Sequence, residues 1–97
     1  MTCKISRKAE NDLRNIASYT QDTWGKEQRR EYLYGLNNMF RLLAENPLIS
    51  RERREFSPAV RIHKYGHHLI VYLDCQDHIL IVRILHENMD IDEHLSQ

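Results

Sequence analysis

Residues 59–85 read AVRIHKYGHHLIVYLDCQDHILIVRIL, and this run decides the fold. Its apolar positions recur at alternate residues or run together, and Ile, Val and Leu dominate, as in extended chain packed on one or both faces. Three strands are predicted, over residues 59–64, 69–74 and 78–85. Tyr65-Gly66 suits the first turn and Cys75-Gln76-Asp77 the second, and connections this short join antiparallel neighbours. The last strand carries Ile79, Leu80, Ile81, Val82, Ile84 and Leu85, apolar on both faces, which places it centrally in the sheet. One sheet face must meet other elements; the second is expected to be covered only in part.

Upstream the period lengthens to that of a helix. Ser6 is a fitting N-cap for a helix over residues 7–23, with Ala9, Leu13, Ile16, Ala17 and Thr20 on one face and Glu10, Asp12, Arg14 and Asn15 turned outward. Trp24-Gly25 marks a turn. A second helix, Lys26–Glu45, carries Tyr32, Leu33, Leu36, Met39, Phe40, Leu43 and Ala44 at three-four spacing and stops at Asn46-Pro47. So short a link folds the two helices back as a hairpin. A strand over residues 2–5 precedes them, an arginine-rich bend over 50–55 follows, and residues 90–95 add a last helical turn capped by Asp90. The fold class is therefore α+β: an N-terminal strand and a helical hairpin on a mainly antiparallel β-sheet, with a short C-terminal helical turn.

The 97 residues suit one domain, residues 1–97, with 41% apolar and 29% charged side chains, too apolar for a disordered chain. The first dozen residues lack the apolar core of a signal peptide, and the longest apolar run, residues 69–73, is far short of a membrane span. A cytoplasmic protein with no membrane role is expected. Cys3 and Cys75 lie outside any CxxC or finger spacing and read as ordinary thiols. Fourteen basic residues balance fourteen acidic ones, which argues against holding nucleic acid by bulk charge. The balance hides an asymmetry: residues 1–64 have thirteen basic and eight acidic side chains, whereas residues 65–97 have only Arg83 against six acidic ones.

Six histidines, with His63, His67 and His68 clustered, lack metal-ligand spacing; His67 and His68 would point to opposite faces of a strand. No metal and no cofactor are expected. Gly25, Gly35 and Gly66 are too scattered to cradle a phosphate, and no nucleophile sits in an activating context. Acid–base cleavage of RNA would need a cation beside a proton-transferring group, and Arg61, His63, Arg83 and His86 are the candidates. The predicted turns set Arg61 and His63 opposite Arg83, which splits this quartet. The competing role for Arg83 is to pair with a carboxylate at a sheet or helix edge. Arg51, Arg53, Arg54, Arg61 and Lys64 form a basic segment, interrupted by Glu52 and Glu55, that suits either a solvated edge or a dock for an acidic helix.

Several motifs together resemble the RelE/ParE toxin superfamily, in its ParE branch. They are Ala9-x-x-Asp12-Leu13-x-x-Ile16, Trp24-Gly25 leading into Gln28-x-x-x-Tyr32-x-x-x-Leu36, and Leu42-Leu43-Ala44-x-x-Pro47. Arg61-Ile62, His68-Leu69-Ile70-Val71-Tyr72 and Ile81-Val82-Arg83-Ile84-Leu85-His86-x-x-Met89-Asp90 continue the series. The last motif is the most specific, and the likeness spans nearly the whole chain. It implies the toxin of a type II toxin–antitoxin system, of the kind linked to plasmid stabilisation. Such a toxin is neutralised by a cognate ParD-like, ribbon-helix-helix antitoxin, reaches operator DNA only through that antitoxin, and can join a higher-order toxin–antitoxin oligomer.

ParE-type members are associated with inhibition of DNA gyrase, whereas RelE-type relatives cut mRNA on the ribosome. Residues 87–97 contain no Lys, Arg or Tyr and are acidic apart from His94, a tail that would repel ribosomal RNA. The expectation is a non-enzymatic gyrase inhibitor. Arg51, Arg53, Arg54 and Arg61 would face the antitoxin, and Arg83, His86, Met89 and Asp90 the target. Two readings stay open beside it: a ribosome-dependent mRNA endonuclease using Arg61, Arg83 and His86, and an inactive toxin that only binds its antitoxin.

Overall fold

In a computed structural model, which describes residues 2–95, the chain runs β1 (Thr2–Ile5), α1 (Arg7–Trp24), α2 (Lys26–Glu45), β2 (Glu52–Arg53), β3 (Val60–Tyr65), β4 (His68–Asp74), β5 (His78–His86) and α3 (Ile91–Leu95). Ser6 closes β1 and opens α1. Its hydroxyl accepts the Ala9 amide at 3.0 Å, satisfying one of the free donors of the first helical turn. Gly25 alone joins the helices, at φ 96°, a conformation that side chains with a Cβ rarely adopt. Asn46 ends α2, its amide reaching Leu42 O at 2.9 Å.

The sheet order is β1-β5-β4-β3-β2, antiparallel except for the parallel pairing of β1 with β5. Three details depart from the expectation. First, the β3–β4 turn is Gly66-His67, not Tyr65-Gly66: Tyr65 pairs with His68, and Gly66 supplies the positive φ of 56° that a two-residue hairpin loop requires. Second, the arginine-rich bend itself contributes the edge strand β2, whose two residues are too few for any periodicity to reveal. Third, β5 is interior only along half its length, because β1 covers residues 78–81 and ends there. The middle strand of the sheet is β4.

A β-bulge decides which way β5 faces. Val71 pairs with Arg83 and Tyr72 with Ile81, so Val82 has no counterpart in β4. The extra residue resets the alternation of buried positions, from Ile79 and Ile81 to Ile84. These three pack with Ile70 and Tyr72 against Ala9, Ile16, Leu36, Phe40, Leu43 and Ala44 of the hairpin. Full burial of each aliphatic side chain contributes about 1.5–3 kcal/mol, and this cluster is the main source of stability. Tyr72 is wholly buried, and its hydroxyl donates to Pro47 O at 2.9 Å, which spares the core an unsatisfied polar group. Across the sheet, Val60, Val71 and Leu85 form a smaller cluster, covered by Phe56 and by Leu95 of α3. Asp90 caps α3, accepting from the Glu93 amide at 3.4 Å.

Candidate functional site

Three groups of polar side chains are built onto this frame. The first is where α1 crosses β5 beyond the end of β1. There the Ser6 amide bonds Ile81 O at 2.9 Å and the Ser6 hydroxyl donates to Val82 O at 2.8 Å. Asp12 takes the Ile84 amide at 2.9 Å and both Nε and Nη2 of Arg83, at 2.9 and 3.1 Å. Asp12 was expected to look outward; instead its side chain is only 13% exposed, because β5 beyond residue 81 has backbone groups that no strand pairs. The bond to Asp12 raises the pKa of Arg83 still further above its ordinary value. Arg83 is thus a held cation whose partner is a helix carboxylate.

The second group is the arginine loop. Arg61 donates to Ser50 O at 2.6 Å and lies 3.7 Å from Glu52. Ser50 is buried, with its hydroxyl 2.8 Å from His63 Nδ1. Arg53 bonds Glu55 and Arg54 bonds Glu52, each at 2.8 Å. Glu55 is held below the usual carboxylate range by its own backbone amide and then by Arg53. Among the described residues, Arg51 alone of the four arginines assigned here has no carboxylate partner.

The third group closes the far end of the sheet. Tyr32 of α2 donates its hydroxyl proton to Tyr65 O at 3.1 Å and lies 2.6 Å from His68 Nδ1. The carbonyl can only accept, whereas His68 Nδ1 accepts from the phenol or donates to it according to its tautomer. The His68 ring meets His86 edge-on at 5.5 Å. His86 Nδ1 accepts the Asn88 amide at 3.1 Å, which puts its hydrogen on Nε2. Burial, followed by the neighbouring His86 and His67, lowers the His68 pKa, and burial raises that of Tyr32. Glu87 bridges Lys64 at 3.7 Å and His67 at 3.5 Å, and its amide bonds His67 O at 2.9 Å, so the tail leaves the sheet from a fixed point. Beyond it Met89 is 45% exposed and Asp90 is exposed.

The structure does not bring Arg61, Arg83 and His86 together. Arg61 is bound to the loop at residues 50–52, Arg83 to α1, and His86 to the tail. Among the described residues, no three His, Cys, Asp or Glu side chains are grouped to hold a metal. No helix of the described residues is long and apolar enough to cross a membrane. Sequence reasoning missed Asp12 as the partner of Arg83, although Asp12 stands in a quoted motif, and missed His68 as the neighbour of His86 and Tyr32 as the neighbour of His68. It also missed Leu48 and Ile49, which are 70% and 54% exposed; two adjacent large aliphatics after Pro47 were the available signal.

A family model described as the ParE toxin of the type II toxin–antitoxin system, parDE, matches residues 3–91. The chain belongs to the ParE toxin family. Toxin ParE1 of Mycobacterium tuberculosis (strain H37Rv) is 35% identical over 92 residues, covering 94% of each chain. Toxin ParE of Escherichia coli is 34% identical over 93 residues, covering 95% of this chain and 90% of its own. A solved chain from a chromosomal ParDE TA system of P. aeruginosa superposes with a TM-score of 0.74 at 22% identity, covering 89% of this chain and 95% of the other, and shares the fold. Every candidate residue above lies within the ParE match. That span includes Asp12 and Arg83, so the clamp belongs to the ParE-like body of the chain.

Proposed function

We propose that this ParE-family toxin acts by binding and not by catalysis, inhibiting DNA gyrase and so replication, until a cognate ParD-like antitoxin neutralises it. The observation that supports a binding mode is the dispersal of the charged groups. Phosphodiester cleavage needs a cation free to meet developing charge beside an acid–base group. Arg83 is neutralised by Asp12 and Arg61 is engaged by Ser50 and Glu52, so neither cation is free to serve His86. Met89 and Asp90 would touch the target, while Arg83 and His86 fix the strand end that presents them.

Arg51, Arg53, Arg54 and Arg61 would face the antitoxin, through which alone the toxin would meet operator DNA, in the cytoplasm and in complexes of higher order. A partner of this kind is supported by the origin of the P. aeruginosa chain in a ParDE TA system. The experiment is supercoiling by purified gyrase with antitoxin-free toxin, run beside ribosome-dependent mRNA cleavage. Lost supercoiling with intact mRNA is expected. Cut mRNA with normal supercoiling would replace this reading with that of an endonuclease, and silence in both with that of an inactive toxin.

A further inference from the structure

The loop that leaves α2 is fastened at both ends yet turns its middle outward. Pro47 O is held by the buried Tyr72 hydroxyl at 2.9 Å. Three residues on, Ser50 is held twice, its carbonyl by Arg61 at 2.6 Å and its hydroxyl by His63 at 2.8 Å. Between these fixed points Leu48 and Ile49 remain 70% and 54% exposed, and Leu42, in the last turn of α2, is 39% exposed. Tyr72 and Arg61 thus tie the loop to the sheet on either side of the two exposed side chains. With Glu45, Asn46 and Pro47, Leu48 and Ile49 line an open cavity of about 440 Å³, room for one or two aliphatic side chains of another molecule.

The charge around the patch selects the occupant. Residues 41–54 hold four arginines against Glu45 and Glu52. Arg53 and Arg54 are engaged by Glu55 and Glu52, but Arg51 has no carboxylate partner among the described residues, and Arg41 bonds only the neutral Asn38. Both are exposed, and in the sequence they flank residues 42–49. Pre-organised aliphatic anchors flanked by unpaired guanidinium groups match an amphipathic helix with apolar residues at three-four spacing and carboxylates at its rim.

We infer that Leu42, Leu48 and Ile49, with Arg41 and Arg51, form the surface on which an acidic amphipathic helix of the antitoxin docks. The inference rests on the antitoxin reading above and moves its energetic centre from the internally paired arginines to the aliphatic pair. The five side chains are exposed, so their replacement leaves the fold intact, which circular dichroism and thermal unfolding verify.

The test is affinity of purified toxin for its ribbon-helix-helix antitoxin, measured for wild type and two double variants. Leu48→Ser with Ile49→Ser is expected to weaken binding at least 30-fold, chiefly through faster dissociation. Arg41→Gln with Arg51→Gln is expected to slow association several-fold and to flatten its salt dependence. If both variants bind within twofold of wild type, the docking surface is wrong while the antitoxin reading stands. If the wild-type toxin fails to bind the antitoxin, both fall. If toxin alone self-associates and the serine pair abolishes this, the patch serves a second copy of the chain and the antitoxin assignment is overturned.

Discussion

Asp12 and Arg83, 71 residues apart in sequence, form a two-bond clamp in which the same carboxylate also accepts the Ile84 amide. One side chain of α1 thereby replaces the strand that β5 lacks after residue 81, and neutralises the one basic group of the acidic C-terminal third. The bulge at Val82 makes this possible, since it resets the strand just where the helix arrives.

Asp12→Ala leaves Arg83 and the Ile84 amide without partners in a site where the two charged side chains are only 13% and 19% exposed. Stability is expected to fall by about 2–4 kcal/mol in urea unfolding. The double variant Asp12→Leu with Arg83→Met is expected to lose less than the sum of its single changes, because neither then strands a charge. Additive losses would show that the pair is not coupled.

Ser6 has two duties that substitutions can separate, capping Ala9 and donating to Val82 O. Ser6→Ala removes both and is expected to cost about 1–2 kcal/mol. Ser6→Asp keeps the cap but has no proton for Val82 O, so its stability should fall between alanine and wild type. Equal stability of Ser6→Asp and wild type would assign the whole effect to the helix cap.

Gly35 lies in mid-helix, where alanine ordinarily stabilises by up to about 1 kcal/mol. Here a Cβ would collide with the Tyr65 hydroxyl and lie 2.8 Å from Tyr65 Cζ. Gly35→Ala is therefore expected to destabilise by about 1–2 kcal/mol, the overpacking cost exceeding the propensity gain. Adding Tyr65→Phe should recover part of the loss. A stabilised Gly35→Ala would show that the tyrosine moves aside freely.

His68 is disfavoured as a cation by burial and by His86 and His67, with Glu87 and Asp12 opposing weakly. Its folded pKa is depressed, so the unfolded chain takes up the proton first. The resulting contribution to stability is complete above the unfolded value, about 6.5, and is lost as pH falls through the folded value. Unfolding measured from pH 8 to 5 should show a decline that His68→Asn removes. An unchanged decline in that variant would move the effect to another group.

The strongly periodic elements were legible from the chain alone. Ser6, the stripe from Ala9 to Thr20 and the stop at Asn46-Pro47 bound the hairpin within a residue of where it lies. What escaped was pairing between distant segments. Ile81, Val82, Ile84 and Leu85 are apolar whichever face they take, so their order carries no mark of the bulge, and without the bulge neither the facing of Arg83 nor its partner can be derived. Asp12 looked solvent-exposed because helix periodicity describes burial by apolar packing and not a carboxylate drawn to an unpaired strand edge. The arginines of residues 51–54 were read as available, yet carboxylates two residues away engage Arg53 and Arg54. The loop that carries Leu48 and Ile49 is bonded to the sheet by Tyr72 and Arg61, which lie 24 and 12 residues further along the chain, a pairing between distant segments that no local pattern marks.

The parallel pairing of Thr2 with His78 has a temporal meaning. A chain is made from its N-terminus, and here the first strand waits for nearly the last one before the sheet can close. Asp12 waits equally for Arg83. Synthesis interrupted before residue 78 leaves β1 unpaired and the hairpin without Ile79, Ile81 and Ile84, the part of its core that β5 supplies. The fold is complete only once residues 78–86 have been made, so any activity that depends on it starts with a nearly finished chain.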